Sequence, residues 1–175
     1  MSEKFVEMLA GATNTLGRTE EAVALVLQSP ERIEELYQCY FQPDEWVRLR
    51  VSSSFKRLWR ADPDLVEPYI PGFIADVSKI DQPSANWTFS QLCLEMQDHL
   101  SDRQKKLAIR TMKQYLKNSK DWIVQNATIE TLAIWADDSE NLKTWLVPRL
   151  EKFSQGDKKS VAKRAEKWIS KLNDN

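Results

Sequence analysis

Apolar residues recur at three- and four-residue spacing along almost the whole chain, and alternating β-branched runs bounded by turns are missing, so the pattern predicts an all-α protein. The predicted helices run over 2–15, 19–28, 30–41, 43–60, 62–79, 84–99, 102–118, 120–136, 140–154 and 158–173. Their boundaries carry chemical marks. Ser29-Pro30, Gln42-Pro43, Asp62-Pro63 and Gln82-Pro83 set a polar or capping side chain before a proline suited to a first helical turn, and Asp137-Asp138-Ser139 marks another start. Pro68 and Pro71 fall inside 62–79 and predict a kink or a split, because each removes a backbone donor and clashes one turn back.

At 100° per residue the helices sort into faces. In 43–60 the inward set is Val47, Val51, Ser54, Phe55 and Leu58, while Trp46, Arg50, Ser53 and Arg57 form a second stripe off the core. In 84–99 Phe89, Leu92, Cys93 and Met96 point inward, and Trp87, Gln91 and Leu94 turn away. In 120–136 Ile123, Val124, Ala127, Thr131, Ile134 and Trp135 point inward, and Trp122, Asn126 and Ile129 turn away. In 102–118 Ile109, Met112 and Leu116 face a core, whereas Lys106, Arg110, Lys113 and Lys117 share a sector about 60° wide with no acid on it. Lys159, Lys163, Lys167 and Lys171 give the last helix the polar outer face that a terminal repeat needs, opposite Val161, Ala165, Trp168, Ile169 and Leu172.

Helix pairs of similar length suggest an internal repeat. Aligning Trp46-Val47-Arg48-Leu49-Arg50-Val51 with Trp87-Thr88-Phe89-Ser90-Gln91-Leu92, Trp122-Ile123-Val124-Gln125-Asn126-Ala127 and Ser160-Val161-Ala162-Lys163-Arg164-Ala165 gives steps of 41, 35 and 38 residues. Helix-pair repeats have a period of roughly 40. In this register three tryptophans hold one equivalent off-core position. The stretch Asp44 to Val51 resembles the second-helix signature of HEAT repeats, and Ser160 to Ala165 with Trp168-Ile169 and Leu172 resembles the closing helix of such an array. The order of segments is similar to small bacterial HEAT-repeat proteins that generally have no assigned role. The resemblance implies an α-α superhelix of HEAT or armadillo type: one repeat domain over 1–175, with capping helices in 1–29 and repeats at about 30–60, 62–100, 102–137 and 140–174. Phe89 and Val124 stand where the signature arginine of the family falls in the second and third repeats.

The 175 residues fit one domain or one short array, and 42% hydrophobic with 29% charged residues excludes a disordered tail. No apolar run reaches the roughly 18 residues of a membrane span, and the start Met1-Ser2-Glu3-Lys4 lacks a signal peptide's pattern. Cytoplasmic location without membrane contact is the expectation. Cys39 and Cys93 read as small packed hydrophobes, and the lone His99 excludes two-histidine metal ligation and a histidine relay within one chain. No metal-ligand cluster, phosphate loop or nucleophile motif is present, so neither cofactor, metal nor catalytic residue is expected. Net charge is −1, but residues 1–100 hold 9 Lys+Arg against 16 Asp+Glu, and residues 101–175 hold 16 against 10.

These observations lead to the expectation of a noncatalytic scaffold that binds another macromolecule, a protein before a nucleic acid, through its curved surface. The candidate binding residues are Trp46, Arg50, Arg57, Trp87 and Trp122, with Lys106, Arg110, Lys113 and Lys117 as a basic ridge. The indoles either line a groove or pack between repeats. A third reading is a resemblance to HEAT-like alkylpurine DNA glycosylases, but one turn beyond the tryptophans stand Arg50, Gln91 and Asn126, where that family's carboxylate would be required.

Overall fold

The computed structural model describes residues 4–13 and 15–174; of the first predicted helix, 2–15, residues 2, 3 and 14 lie outside them. Among the described residues every regular element is helical, and no helix is long and apolar enough to cross a membrane. The chain divides into two compact units, Met1–Thr88 and Phe89–Asn175.

The first unit contains α1 (Phe5–Leu9), α2 (Thr19–Gln28), α3 (Ile33–Gln38), α4 (Glu45–Ala61), α5 (Pro63–Val66), α6 (Ile70–Ala75) and the start of α7 (Pro83–Glu95). The first helix is shorter than its pattern predicts. Gly11 at φ +116° and Gly17 at φ +53° hold a loop that leaves the helical path after Leu9. The prolines at 68 and 71 split the next predicted segment as expected, into α5, the tight turn Glu67–Tyr69 and α6. Asp44 starts α4 by accepting hydrogen bonds from the Trp46 and Val47 amides at 2.8 and 3.2 Å. Its inward residues Val47, Val51, Phe55 and Leu58 are fully buried, and the helix packs on α1, α2 and α5. Phe55 meets Phe73 edge-on at 5.2 Å between ring centres, with Tyr37 and Tyr40 completing an aromatic cluster. Gly72 belongs to that cluster by its lack of a side chain, since a Cβ there would collide with the Tyr37 hydroxyl.

The second unit holds the end of α7, then α8 (Asp102–Asn118), α9 (Trp122–Ala136), α10 (Glu140–Ser154) and α11 (Lys159–Asp174). α8 packs on α9, α10 packs on both α9 and α11, and α9 packs on α11. This makes two rows, α8 with α10 and α9 with α11. The end of α7 joins the second row, where the Ser90 and Thr128 hydroxyls pair at 3.0 Å and the Thr131 hydroxyl donates to the Ser90 carbonyl at 2.8 Å. Ser101 and Gln104 form a reciprocal capping box at the start of α8, Asp121 caps α9 and Ser139 caps α10.

Helix starts correct the tryptophan register. α4, α7, α9 and α11 begin at 45, 83, 122 and 159, at steps of 38, 39 and 37 residues, a more even period than the tryptophans gave. Trp46 is then the second residue of its helix, Trp87 the fifth and Trp122 the first, so the three are not equivalent. The reason is that capping side chains and prolines fix where a helix begins, whatever the position of its largest residue. In the corrected register the fourth residues are Arg48, Asn86 and Gln125, and all three do the same work. Each donates from its side chain to a carbonyl of the segment that precedes its own helix: Arg48 to Tyr40, in the helical turn Cys39–Phe41, at 3.2 Å, Asn86 to Ile80 at 2.9 Å and Gln125 to Ser119 at 2.9 Å. The residue just before a later helix also reaches back to an earlier one. Gln82 donates to the Glu45 carbonyl at 2.9 Å and accepts from Arg48, while Lys158 donates to Gln125 Oε1 at 3.2 Å and to the Lys120 carbonyl.

Candidate functional site: a tryptophan-edged groove

α9 is buried on nearly every side because it has α8, α10, α11 and the end of α7 around it. Ile129, which its spacing placed off the core, is fully buried for this reason. Trp122 escapes burial. Asp121 Oδ1 accepts from the Ile123 and Val124 amides at 2.8 and 2.9 Å, so the helix begins at Trp122 and leaves its indole 53% exposed at the open end.

From that indole a groove of about 300 Å³ runs along the second row, edged by Leu94 and Gln91 of α7 and Arg164 of α11. Asn126 lies on its floor one turn beyond Trp122. Its side chain is 8% exposed; Nδ2 donates to the Ser160 hydroxyl at 3.1 Å, and Oδ1 is buried without a hydrogen-bond partner. A buried amide oxygen left unpaired costs roughly 1–3 kcal/mol. Exchanging the amide's two ends would let it accept from Ser160 and present Nδ2 instead. Either way one edge of the amide faces no protein partner.

Further along, Glu130 binds three groups of α11: Trp168 Nε1 at 2.9 Å, Lys167 Nζ at 3.5 Å and the Arg164 guanidinium. Burial alone would raise its carboxyl, but the Trp168 hydrogen bond and the Arg164 and Lys167 charges outweigh it and hold the group below its usual range. Glu130 is therefore a fastened anion. Among the described residues no group of three or more His, Cys, Asp or Glu is placed to hold a metal ion. Cys39 is pushed up to about 11 by burial and then by the Glu35 charge, and burial raises Cys93 further still. Neither is a thiolate at neutral pH.

The other sequence-predicted residues are dispersed. Arg50 requires the plainest correction. It is 1% exposed, with Nε donating to the Thr15 carbonyl at 3.2 Å, Nη1 to the Leu9 carbonyl at 2.5 Å, and Nη2 to the Thr13 carbonyl and hydroxyl at 2.9 and 3.1 Å. It pins the loop after α1 and has no free donor face for a ligand. The middle of the stripe is covered because α4 packs on α1 and α2 as well as on the core, and Ser53 is buried with Arg50. Arg57 folds back on its own helix, donating to the Ser53 hydroxyl and carbonyl. Trp46 and Trp87 are half-buried in the first unit. Lys106, Arg110 and Lys117 are exposed on α8, whereas Lys113 is half-buried with its Nζ 4.6 Å from the centre of the Trp145 ring. None of these four lines the Trp122 groove, which belongs to the other row of helices.

Sequence reasoning therefore reached Trp122 and missed Asn126, Glu130 and Arg164 as partners in one groove. The signal for Asn126 was the four-residue spacing from Trp122, which puts both on one helix face. No family model, curated protein or solved structure matches the chain.

Proposed function

We propose that this chain is a noncatalytic helical-repeat module of HEAT or armadillo type that binds another protein, taking an extended polypeptide segment into the Trp122 groove. The observation that carries the reading is the pair one turn apart: an exposed indole, and a buried amide edge that no protein group satisfies. An extended peptide supplies what both lack. A side chain laid across Trp122 removes apolar surface from water, worth roughly 25 cal/mol per Å², and a backbone N–H or C=O pairs with the Asn126 amide once the side chains covering it part on binding. The repeat reading is supported by the even helix starts and by the shared role of Arg48, Asn86 and Gln125. In this account the arginine of the HEAT signature has Asn86 and Gln125 as its counterparts, and the helix pairs continue as a superhelix. Against a glycosylase-like role, Glu130, the carboxylate in the groove, is held by Arg164, Lys167 and Trp168 of α11 and lies two turns beyond Trp122, not one.

The test is selection from a displayed library of random peptides on the immobilised full chain, followed by affinity measurement. Selected peptides are expected to lose at least tenfold affinity for Trp122→Ala and for Asn126→Ala, with both variants melting within a few degrees of the parent. Peptides that bind all three proteins equally, or a library that yields none, would reject the groove as the site.

A further inference from the structure

The other row of helices in the second unit carries a feature that peptide binding in the groove does not use. On α8, Lys106, Arg110, Lys113 and Lys117 follow one stripe over three turns, a length of about 16 Å. α10 adds a fifth cation. Arg149 lies 3.9 Å from the centre of the Trp145 ring on which Lys113 also rests at 4.6 Å, so one indole holds two positive groups from different helices. Arg149 Nη1 is further fixed by donating to the Trp145 carbonyl at 2.6 Å. None of the five has an ion-pair partner among the described residues, and the only acid on α8 is Asp102 at its start. The protonated form of Lys113 is disfavoured first by burial and then by Arg149 and Lys117, which is the mark of a local positive field.

Like charges gathered without a counter-charge weaken the free protein by a few tenths of a kcal/mol per neighbouring pair. A bound polyanion removes that repulsion. We propose that the α8–α10 face is a docking surface for the phosphate backbone of a nucleic acid, contacted by Lys106, Arg110, Lys113, Lys117 and Arg149. A nucleic acid suits this face better than an acidic protein. Protein interfaces are centred on an apolar or aromatic anchor seated in a pocket, and here the one aromatic ring on the stripe is already covered by two cations. Phosphate binding needs no such anchor, since its affinity follows from the number of cations that displace counterions, and a single-sign row matches a uniformly charged strand. Arg149 and Lys113, held on the ring, lose little further freedom on meeting a phosphate.

The experiment uses the full-length protein, fluorescence polarisation, a labelled single-stranded oligonucleotide and its duplex, and a labelled poly-glutamate peptide, each titrated across a range of salt. Single-strand binding at low salt is expected, with log affinity falling against log salt at a slope of about −3.5 for five contacts. Lys106→Gln/Arg110→Gln, at exposed positions that carry no packing, is expected to flatten the slope by about 1.4. Arg149→Gln should flatten it by about 0.7, with near-UV circular dichroism confirming that Trp145 keeps its environment. The proposal fails if neither oligonucleotide binds at low salt, if the double variant keeps the parent's slope, or if poly-glutamate binds more tightly than both nucleic acids.

Discussion

Arg50 offers the most informative perturbation because the sequence and the structure assign it opposite roles. Its guanidinium satisfies the backbone carbonyls of Leu9, Thr13 and Thr15, and among the described residues no carboxylate pairs with it. A hydrogen bond to a charged group contributes roughly 1.5–3 kcal/mol net, and a buried acceptor left alone costs about 1–3 kcal/mol. If Arg50→Ala left all three carbonyls buried, the loss would approach the sum of those costs; the loop carries few apolar anchors and can peel into water, which lowers the expected loss to about 3 kcal/mol. Arg50→Lys keeps the charge but gathers its donors on one nitrogen, which cannot reach three divergent oxygens, so it should recover only about 1 kcal/mol of that loss. Urea unfolding followed by circular dichroism gives the stability change. Limited trypsin cleavage after Arg18, read by mass spectrometry, reports the loop itself. The expectation is a lower urea midpoint for both variants and faster cleavage at Arg18. A stability change under about 1 kcal/mol with unchanged cleavage would refute the anchoring role.

Three further outcomes follow from the same structure. Glu130→Gln should destabilise by about 1 kcal/mol near neutral pH. Because the native carboxyl titrates below its ordinary value of 4.5, that difference is present above 4.5 and should vanish as pH falls through the lowered value; urea midpoints of the pair from pH 7 to 3 check this, and a constant difference would contradict it. Gly17→Ala places a side chain at φ +53° with its Cβ 3.0 Å from Arg50 Nε, and should lower the urea midpoint by an amount equivalent to about 1–2 kcal/mol. Cys39 and Cys93, both buried with raised thiols, should resist a thiol reagent in the native protein at neutral pH and react in full once unfolded in urea.

Much of the helical layout was legible because its signals are local. Pro68 and Pro71 broke their segment for the covalent reason that a proline has no N–H, and Val47, Val51, Phe55 and Leu58 were found by a spacing that any amphipathic helix shows. What failed was non-local. A periodicity wheel gives a helix one buried side, whereas α4 has α1 and α2 on a second face and α9 is enclosed almost all round, so Arg50 and Ile129 were misplaced. Arg50 was hidden further by chemistry, since nothing in the chain's spacing announces that a loop 35–41 residues away will turn its carbonyls toward a charge. The tryptophans misled the repeat register because size was read as equivalence. Asp44 and Asp121, which set the starts of α4 and α9, were the better ruler. Within the groove, Trp122 stood out by type, but the unpaired Asn126 oxygen exists only once Ser160 has taken the other end of its amide.

The most direct test of the account is nuclear magnetic resonance on the protein with a peptide selected by display. Labelled side-chain signals of Trp122 Nε1–H and Asn126 Nδ2, assigned by Trp122→Phe and Asn126→Ala, should shift together and saturate at one affinity. The Trp135 indole, hydrogen-bonded to Gln97, and the Trp145 indole beneath its two cations should hold their positions. Saturating binding that leaves the Trp122 and Asn126 signals in place while others move would contradict the central claim.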